Sequence, residues 1–330
     1  MNKAHFLLLS LSFLLLSCQQ KKEFDSLKNS GEINSISVMI DEQLWNGAIG
    51  DSIRNKFASP VIGLPQEEPL FTIHQYPVKL LEGYRANSRN IIVVKKEAKS
   101  YFEIEENKFA NPQNIIRISG KTTQEIIDTI QKYTPTIIQQ IRQTEIQEKQ
   151  RIIDTALTDC KPITKKFNIS LKIPKGYKYV LKKSKFLWLK REINSGNTSL
   201  LIYQIPIHRI EEHANNSVIN NIIRMRDSIG NLYLHGTVPN SRMMTEAAYA
   251  PYLFNIKIDK KHTYEIKGTW ELKNDFMSGP FINYCITDSV NNRMLVVEGF
   301  CYAPSKEKRD LMFELEAIIK SIAFLKTKRH

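Results

Sequence analysis

Apolar residues recur along this chain with two periods, and the pattern divides it into strands and helices. Alternating or short continuous apolar runs predict strands at 33–40, 70–76, 90–94, 101–104 and 114–119, separated by Asn, Gly and Pro. Between the first two, Trp45, Ile49, Ile53 and Phe57 stand four residues apart, the spacing of one helix face. Thr122 and Glu125 form a capping box ahead of Ile126, Ile127, Ile130 and Tyr133, so a helix starts there. Pro135 predicts an interruption, after which Thr134 caps a second helix reaching about residue 157. Its middle, 145–151, is nearly all polar and predicts a solvent-exposed bridge.

The second half repeats the plan. Phe167, Ile169, Leu171 and Ile173 alternate as a half-buried strand would, followed by strands at 186–192 and 199–205. A helix is predicted at 216–229, with Gly230 as its stop, then strands at 252–258, 263–272, 281–287 and 294–302. Ser305 is expected to cap a last helix whose stripe is Leu311, Met312, Leu315, Ile318, Ile319 and Ile322. The order predicts an α+β protein of two domains, 31–158 and 159–330, each of mainly antiparallel sheet with helices packed on one face. The first domain ends in the long helical bridge.

The first thirty residues break this pattern. Lys3, an apolar run from Phe6 to Leu16 and the pair Ser17-Cys18 make a bacterial lipoprotein signal, too short to span a bilayer as a mature helix. Residues 1–17 read as the cleaved signal peptide, Cys18 as the lipidation site carrying palmitate-type acyl chains, and 18–30 as a polar flexible tether reaching about 40 Å when extended. Gln19 is not the Asp that retains many lipoproteins at the inner membrane. The expected location is therefore the cell envelope, anchored in the outer membrane.

Charge narrows the choice of partner. Cleavage removes one lysine and leaves 46 basic against 34 acidic residues, a formal +12, which favours anionic lipid or glycan; an exported protein is not expected to meet nucleic acid. The excess concentrates between Lys161 and Arg191, a span without a single acid, where Lys182, Lys183 and Lys185 are the candidate contacts. Such lysines also protect sheet edges. The aromatics Tyr177, Tyr179 and Trp188 in this span could stack on sugars or pack as core. The loop Gly63-Leu64-Pro65-Gln66-Glu67-Glu68-Pro69 adds Glu67 and Glu68, which could accept hydrogen bonds from a ligand or pair with the basic second domain; Trp45 completes the candidate binding residues.

No catalytic residue, metal ligand set or cofactor motif emerges. Ser119-Gly120-Lys121-Thr122 resembles the end of a phosphate-binding loop, but Ile115 stands where its first glycine should be. His208 and His213 flank Glu212 five residues apart, about 140° out of alignment on a helix. Three cysteines remain after Cys18, an odd number that indicates no disulfide framework, and a hairpin turning near Asn291-Asn292 would set Cys285 opposite a residue near Glu298 rather than Cys301.

The strings Trp45-Asn46-Gly47, GLPQEEPLF at 63–71, GTWELKNDFMSGPF at 268–281 and EGFCYAP at 298–304 resemble an uncharacterised lipoprotein family of Bacteroidetes-type bacteria, a domain of unknown function. The second domain also looks like the α/β/α fold of photosystem accessory subunits and nuclear-transport factors, by its sheet, hairpin and closing helix. These resemblances imply a binding or assembly module for a partner protein or an anionic envelope component. The alternative is a hydrolase or transferase acting on cell-wall or glycan substrates, with Glu67 and Glu68 as its carboxylates.

Overall fold

The structure is a computed structural model that describes residues 31–81, 84–211 and 217–325. The signal peptide, Cys18, the tether and His213 lie outside the described residues.

The N-terminal sheet has the order β2-β1-β3-β5-β4, built from β1 (Ser35–Ile40), β2 (Thr72–Tyr76), β3 (Asn90–Lys96), β4 (Tyr101–Glu106) and β5 (Asn114–Gly120). All five strands fall where the pattern predicts them. Their direction does not: β1 runs parallel to β2 and β3, and β3 parallel to β5, leaving only β4 antiparallel. The physical reason is burial on both faces. Helices α1 (Glu42–Trp45) and α2 (Ala48–Phe57) lie in the crossover from β1 to β2, α3 (Thr123–Asp154) follows β5, and α2 and α3 cover one face through Ile49, Ile53, Ile126, Ile130 and Ile137. Met39, Ile91, Val93 and Ile115 pack on the other face. The unbroken runs Ile91–Val94 and Ile115-Ile116 are what doubly covered parallel strands require.

Helix α3 is continuous through Pro135, where a break was expected. Proline in a helix interior costs about 3 kcal/mol. Burial of Ile126, Ile130, Ile137 and Ile141 along one stripe on both sides of it outweighs that cost, and the Thr134 hydroxyl donates to the Ile130 carbonyl at 2.6 Å.

Seven of the strands after residue 158 form an antiparallel path β10-β12-β13-β14-β9-β8-β7, with β11 alongside β12. They are β7 (Lys178–Lys183), β8 (Phe186–Ile193), β9 (Gly196–Pro206), β10 (Arg242–Thr245), β11 (Tyr252–Ile258), β12 (Lys261–Lys273), β13 (Ser278–Asp288) and β14 (Arg293–Tyr302). Alternate residues of β14 serve two cores. Leu295 and Val297 meet Leu315 and Ile318 of the last helix, whereas Met294, Val296 and Phe300 share a core with Ile222 on the opposite face. Helices therefore lie on one face of the first sheet but on both faces of the second, the α/β/α arrangement. The mixed α+β class with mostly antiparallel pairing holds for the chain as a whole.

Three local expectations change. Residues Lys161–Phe167 are a short helix, α4, ended by left-handed Asn168, and only Ile169–Ser170 (β6) pairs as strand, with Ala323–Phe324 (β15); the apolar alternation nevertheless stays buried. Gly230 lies inside α5 (Val218–Tyr233), because a Cβ there would sit 2.2 Å from the Met243 carbonyl oxygen of β10. The last helix, α6, spans Arg309–Ile319 and not the segment after Ser305. Cys285 pairs in register with Val296, and Cys160, Cys285 and Cys301 are free. Cys301 and Cys285 pack in the cores on opposite faces of the second sheet, where burial pushes the Cys301 thiol up to about 12 and the Cys285 thiol higher still.

Candidate functional site at the junction of the two sheets

The loop after α2 closes on itself through Leu70 N–H to Ser59 and Val61 N–H to Glu68, and presents residues 62–67 to the second sheet. Gly63, at φ +87°, packs on β12: a Cβ would approach Lys267 Cβ to 2.9 Å. Behind it Glu68 is buried, and its carboxylate accepts from the backbone N–H groups of Lys308 (2.7 and 3.0 Å) and Arg309 (2.7 Å). A carboxylate 240 residues away thus caps the amino end of α6, where the helix carries partial positive charge. That explains why no local capping residue is needed. Arg309 returns the contact, donating to the Pro69 carbonyl and the Thr72 hydroxyl at 3.0 Å each. Glu68→Ala is expected to cost about 1–3 kcal/mol, read as a lower urea midpoint at unchanged slope, while Glu67→Ala changes stability by no more than about 0.5 kcal/mol.

The polar middle of α3, expected to face solvent, is a buried seam. Glu145 has no exposed surface and accepts from Arg89 Nε (2.7 Å), Asn90 Nδ2 (2.5 Å) and Asn34 N–H (3.0 Å). Arg142 pairs with Glu316 at 2.5 Å, Lys149 with Glu314 at 2.7 Å, and Gln150 donates to the Ala317 carbonyl, tying α3 to α6. Burial alone would raise the Glu316 carboxyl; Arg142, Lys267 and Lys320 outweigh it and hold the group well below the ordinary carboxylate range.

Between loop, β12, β13 and the two helices lies a cavity of about 240 Å³. Leu64, Leu70, Phe281, Ile282, Met312 and Phe313 give it apolar walls; Asn34, Arg142, Lys267, Arg309 and Glu316 supply polar groups. A second, open groove of about 560 Å³ runs between residues 60–67 and 248–252, where Ile62, Tyr249 and Tyr252 are exposed.

The other candidates lie on separate elements. Trp45 ends α1, half-buried against the first core, with the Arg54 guanidinium 4.5 Å over its ring. Lys182, Lys183 and Lys185 are exposed on edge strand β7 and its turn into β8, with Lys182 Nζ 4.3 Å from the Tyr179 ring and Lys166 of α4 donating to Ser184 in the turn. Exposed Lys161, Lys165, Lys175 and Lys178 extend this surface. The interleaved aromatics turn inward: Tyr177 bonds Thr198, Trp188 bonds Ser199 and Tyr179 bonds the Asp159 carbonyl. Among the described residues no cluster of three or more His, Cys, Asp or Glu could hold a metal ion.

Sequence reasoning missed Asn34, Glu145, Lys267 and Glu316 at the junction. It also missed a second polar network under α5, in which buried Arg226 pairs with Glu298 at 2.9 Å, and Asn283 Nδ2 donates to Glu298 at 2.7 Å. Isolated charges in apolar elements are the only local signal, and it names neither partner.

The family model described as Domain of unknown function (DUF4837) matches residues 156–321, and Domain of unknown function (DUF8532) matches residues 29–154. No curated protein sequence matches the chain. Among solved structures, the chain is similar to cyanobacterial PsbP (CyanoP) from Synechocystis sp. PCC 6803, at 9% identity over 51% of this chain and 89% of that one, TM-score 0.32. The Saccharomyces cerevisiae Ran-binding protein Mog1p aligns at 8% identity over 48% and 90%, TM-score 0.30. LpqN, involved in cell envelope biogenesis of Mycobacterium tuberculosis, aligns at 10% identity over 48% and 83%, TM-score 0.27. At these TM-scores the likeness says nothing about ligand or activity.

Proposed function

The chain belongs to the DUF4837 family of domains of unknown function, and on that premise we propose that it is a lipid-anchored cell-envelope protein, held in the outer membrane through Cys18, whose folded part is a non-catalytic binding module for an anionic envelope component. The observation that carries the reading is the exposed lysine surface on α4, β7 and the β7–β8 turn, supplied by a span, 161–191, that contains no acid of its own. Several basic groups of that span are already neutralised, Lys172 by Asp154, Lys190 by Glu192 and Arg191 by Glu314. Those left exposed at Lys182, Lys183 and Lys185 provide the attraction, worth about 1 kcal/mol per cation near an anionic surface. The enzyme alternative loses its best carboxylate, because both oxygens of Glu68 are engaged by α6.

The test uses the Cys18→Ser chain, in which acyl chains cannot dominate, and co-sedimentation with phosphatidylglycerol-containing against purely zwitterionic vesicles. Lys182→Glu, Lys183→Glu and Lys185→Glu together are expected to weaken binding to the anionic vesicles about tenfold or more and to flatten its salt dependence. Equal binding by the triple variant at low salt would remove this reading in favour of a protein partner. In cells, radiolabelled palmitate should enter the wild-type chain and not the Cys18→Ser chain.

A further inference from the structure

The junction cavity has the composition of a ligand site that the lysine surface does not explain. Its cations are held by ion pairs that are long or shared. Lys267 Nζ is ion-paired with Glu265 at 3.4 Å and Glu316 at 3.9 Å, both longer than an ordinary hydrogen bond. Arg142 reaches the same Glu316 oxygen through NH2, so two cations share one anionic oxygen at the cavity wall. An acceptor there is unused. Asn34 is 1% exposed; its backbone N–H is given to Glu145 and its Nδ2 to Asp310 at 2.9 Å, which leaves Oδ1 buried with no partner among the described residues. A buried acceptor without a donor costs about 1–3 kcal/mol unless something else fills the position.

We propose that this cavity binds a small amphipathic carboxylate carrying an N–H or O–H donor. The carboxylate is received by Lys267 and Arg142, the donor is given to Asn34 Oδ1, and the apolar body lies against Phe281, Met312 and Phe313. The volume of about 240 Å³ is below that of usual drug-sized pockets, which limits the ligand to a compact molecule. Strings separated by some two hundred residues, GLPQEEPLF and GTWELKNDFMSGPF, contribute adjacent parts of the wall. Binding therefore reads the relative placement of the two sheets as well as the residues themselves. The site is distinct from the lysine surface and does not depend on the envelope reading.

The experiment titrates the full mature chain with indole-3-acetate, whose ring N–H supplies the donor, and with 3-phenyllactate, whose hydroxyl does, by calorimetry and ligand-observed NMR. Neutral indole-3-acetamide is the control. Saturable binding of at least one acid is expected, weakened about tenfold or more by loss of its charge or by Lys267→Met, a variant that removes the ammonium together with its two long ion pairs to Glu265 and Glu316. Leu64→Trp, which fills the cavity from the loop side, should abolish binding, with thermal unfolding confirming that both variants are folded. Absence of saturable binding for both acids, or equal affinity in wild type, Lys267→Met and Leu64→Trp, would show a cavity that only water occupies and overturn the proposal. Vesicle binding should be unchanged in Lys267→Met.

Discussion

Glu145→Ala is expected to destabilise the chain by about 3–5 kcal/mol, among the largest effects of any single substitution. The carboxylate is fully buried and receives hydrogen bonds from Arg89 Nε and NH2, Asn90 and the Asn34 backbone, so alanine removes the acceptor of four donor groups at once. The larger part of the cost is the loss of the carboxylate that the guanidinium of Arg89, itself only 4% exposed, engages through both Nε and NH2. Urea unfolding followed by tryptophan fluorescence measures the loss as a fall in midpoint. A change below about 1 kcal/mol would mean that the Arg89–Glu145 pair is not what holds the seam together.

Under α5, Glu298→Ala should cost a similar 3–5 kcal/mol, since it strands Arg226 and takes the acceptor from Asn283. Arg226 has further contacts, a hydrogen bond to Thr245 at 2.9 Å and the Phe281 ring 3.6 Å from its guanidinium carbon, but none carries negative charge. The paired replacement Arg226→Met with Glu298→Leu removes both charges together and is expected to recover most of the loss, because the desolvation penalty disappears with the interaction. If the double variant is as unstable as the single one, the network contributes through packing shape and not through charge. The two networks lie in different cores, so the costs of Glu145→Ala and Glu298→Ala should add.

These expectations could not have been written from the amino-acid order. The heptapeptide around Glu145 contains Glu145, Glu148, Lys149 and Arg151, and any periodicity argument assigns it to water. It is buried because Arg89, Asn90 and the Asn34 backbone enclose Glu145, while α6 supplies Glu314 to Lys149 and the Ala317 carbonyl to Gln150. Glu68 is similar. Its loop was legible as stiff and acidic, and pairing with the second half was one of its two readings, but a partner 240 residues on has no signature nearer than the fold itself. The family strings in 63–71 and 268–281 pointed to the junction without revealing that they face each other.

What the chain encodes locally is the inventory of elements. Apolar periodicity located β1–β5, the stripes of α2, α3 and α6 and the strands β8, β9 and β11–β14, because side-chain period is set by backbone geometry within a few residues; it did not locate β7 or β10. Long-range terms decided the rest: whether strands of the first sheet run parallel, whether Pro135 breaks a helix, which face of the second sheet receives α5, and which charges are buried. Each of these depends on surface supplied by residues distant in sequence, and the free energy of burying apolar area or pairing a charge exists only once both partners are in place.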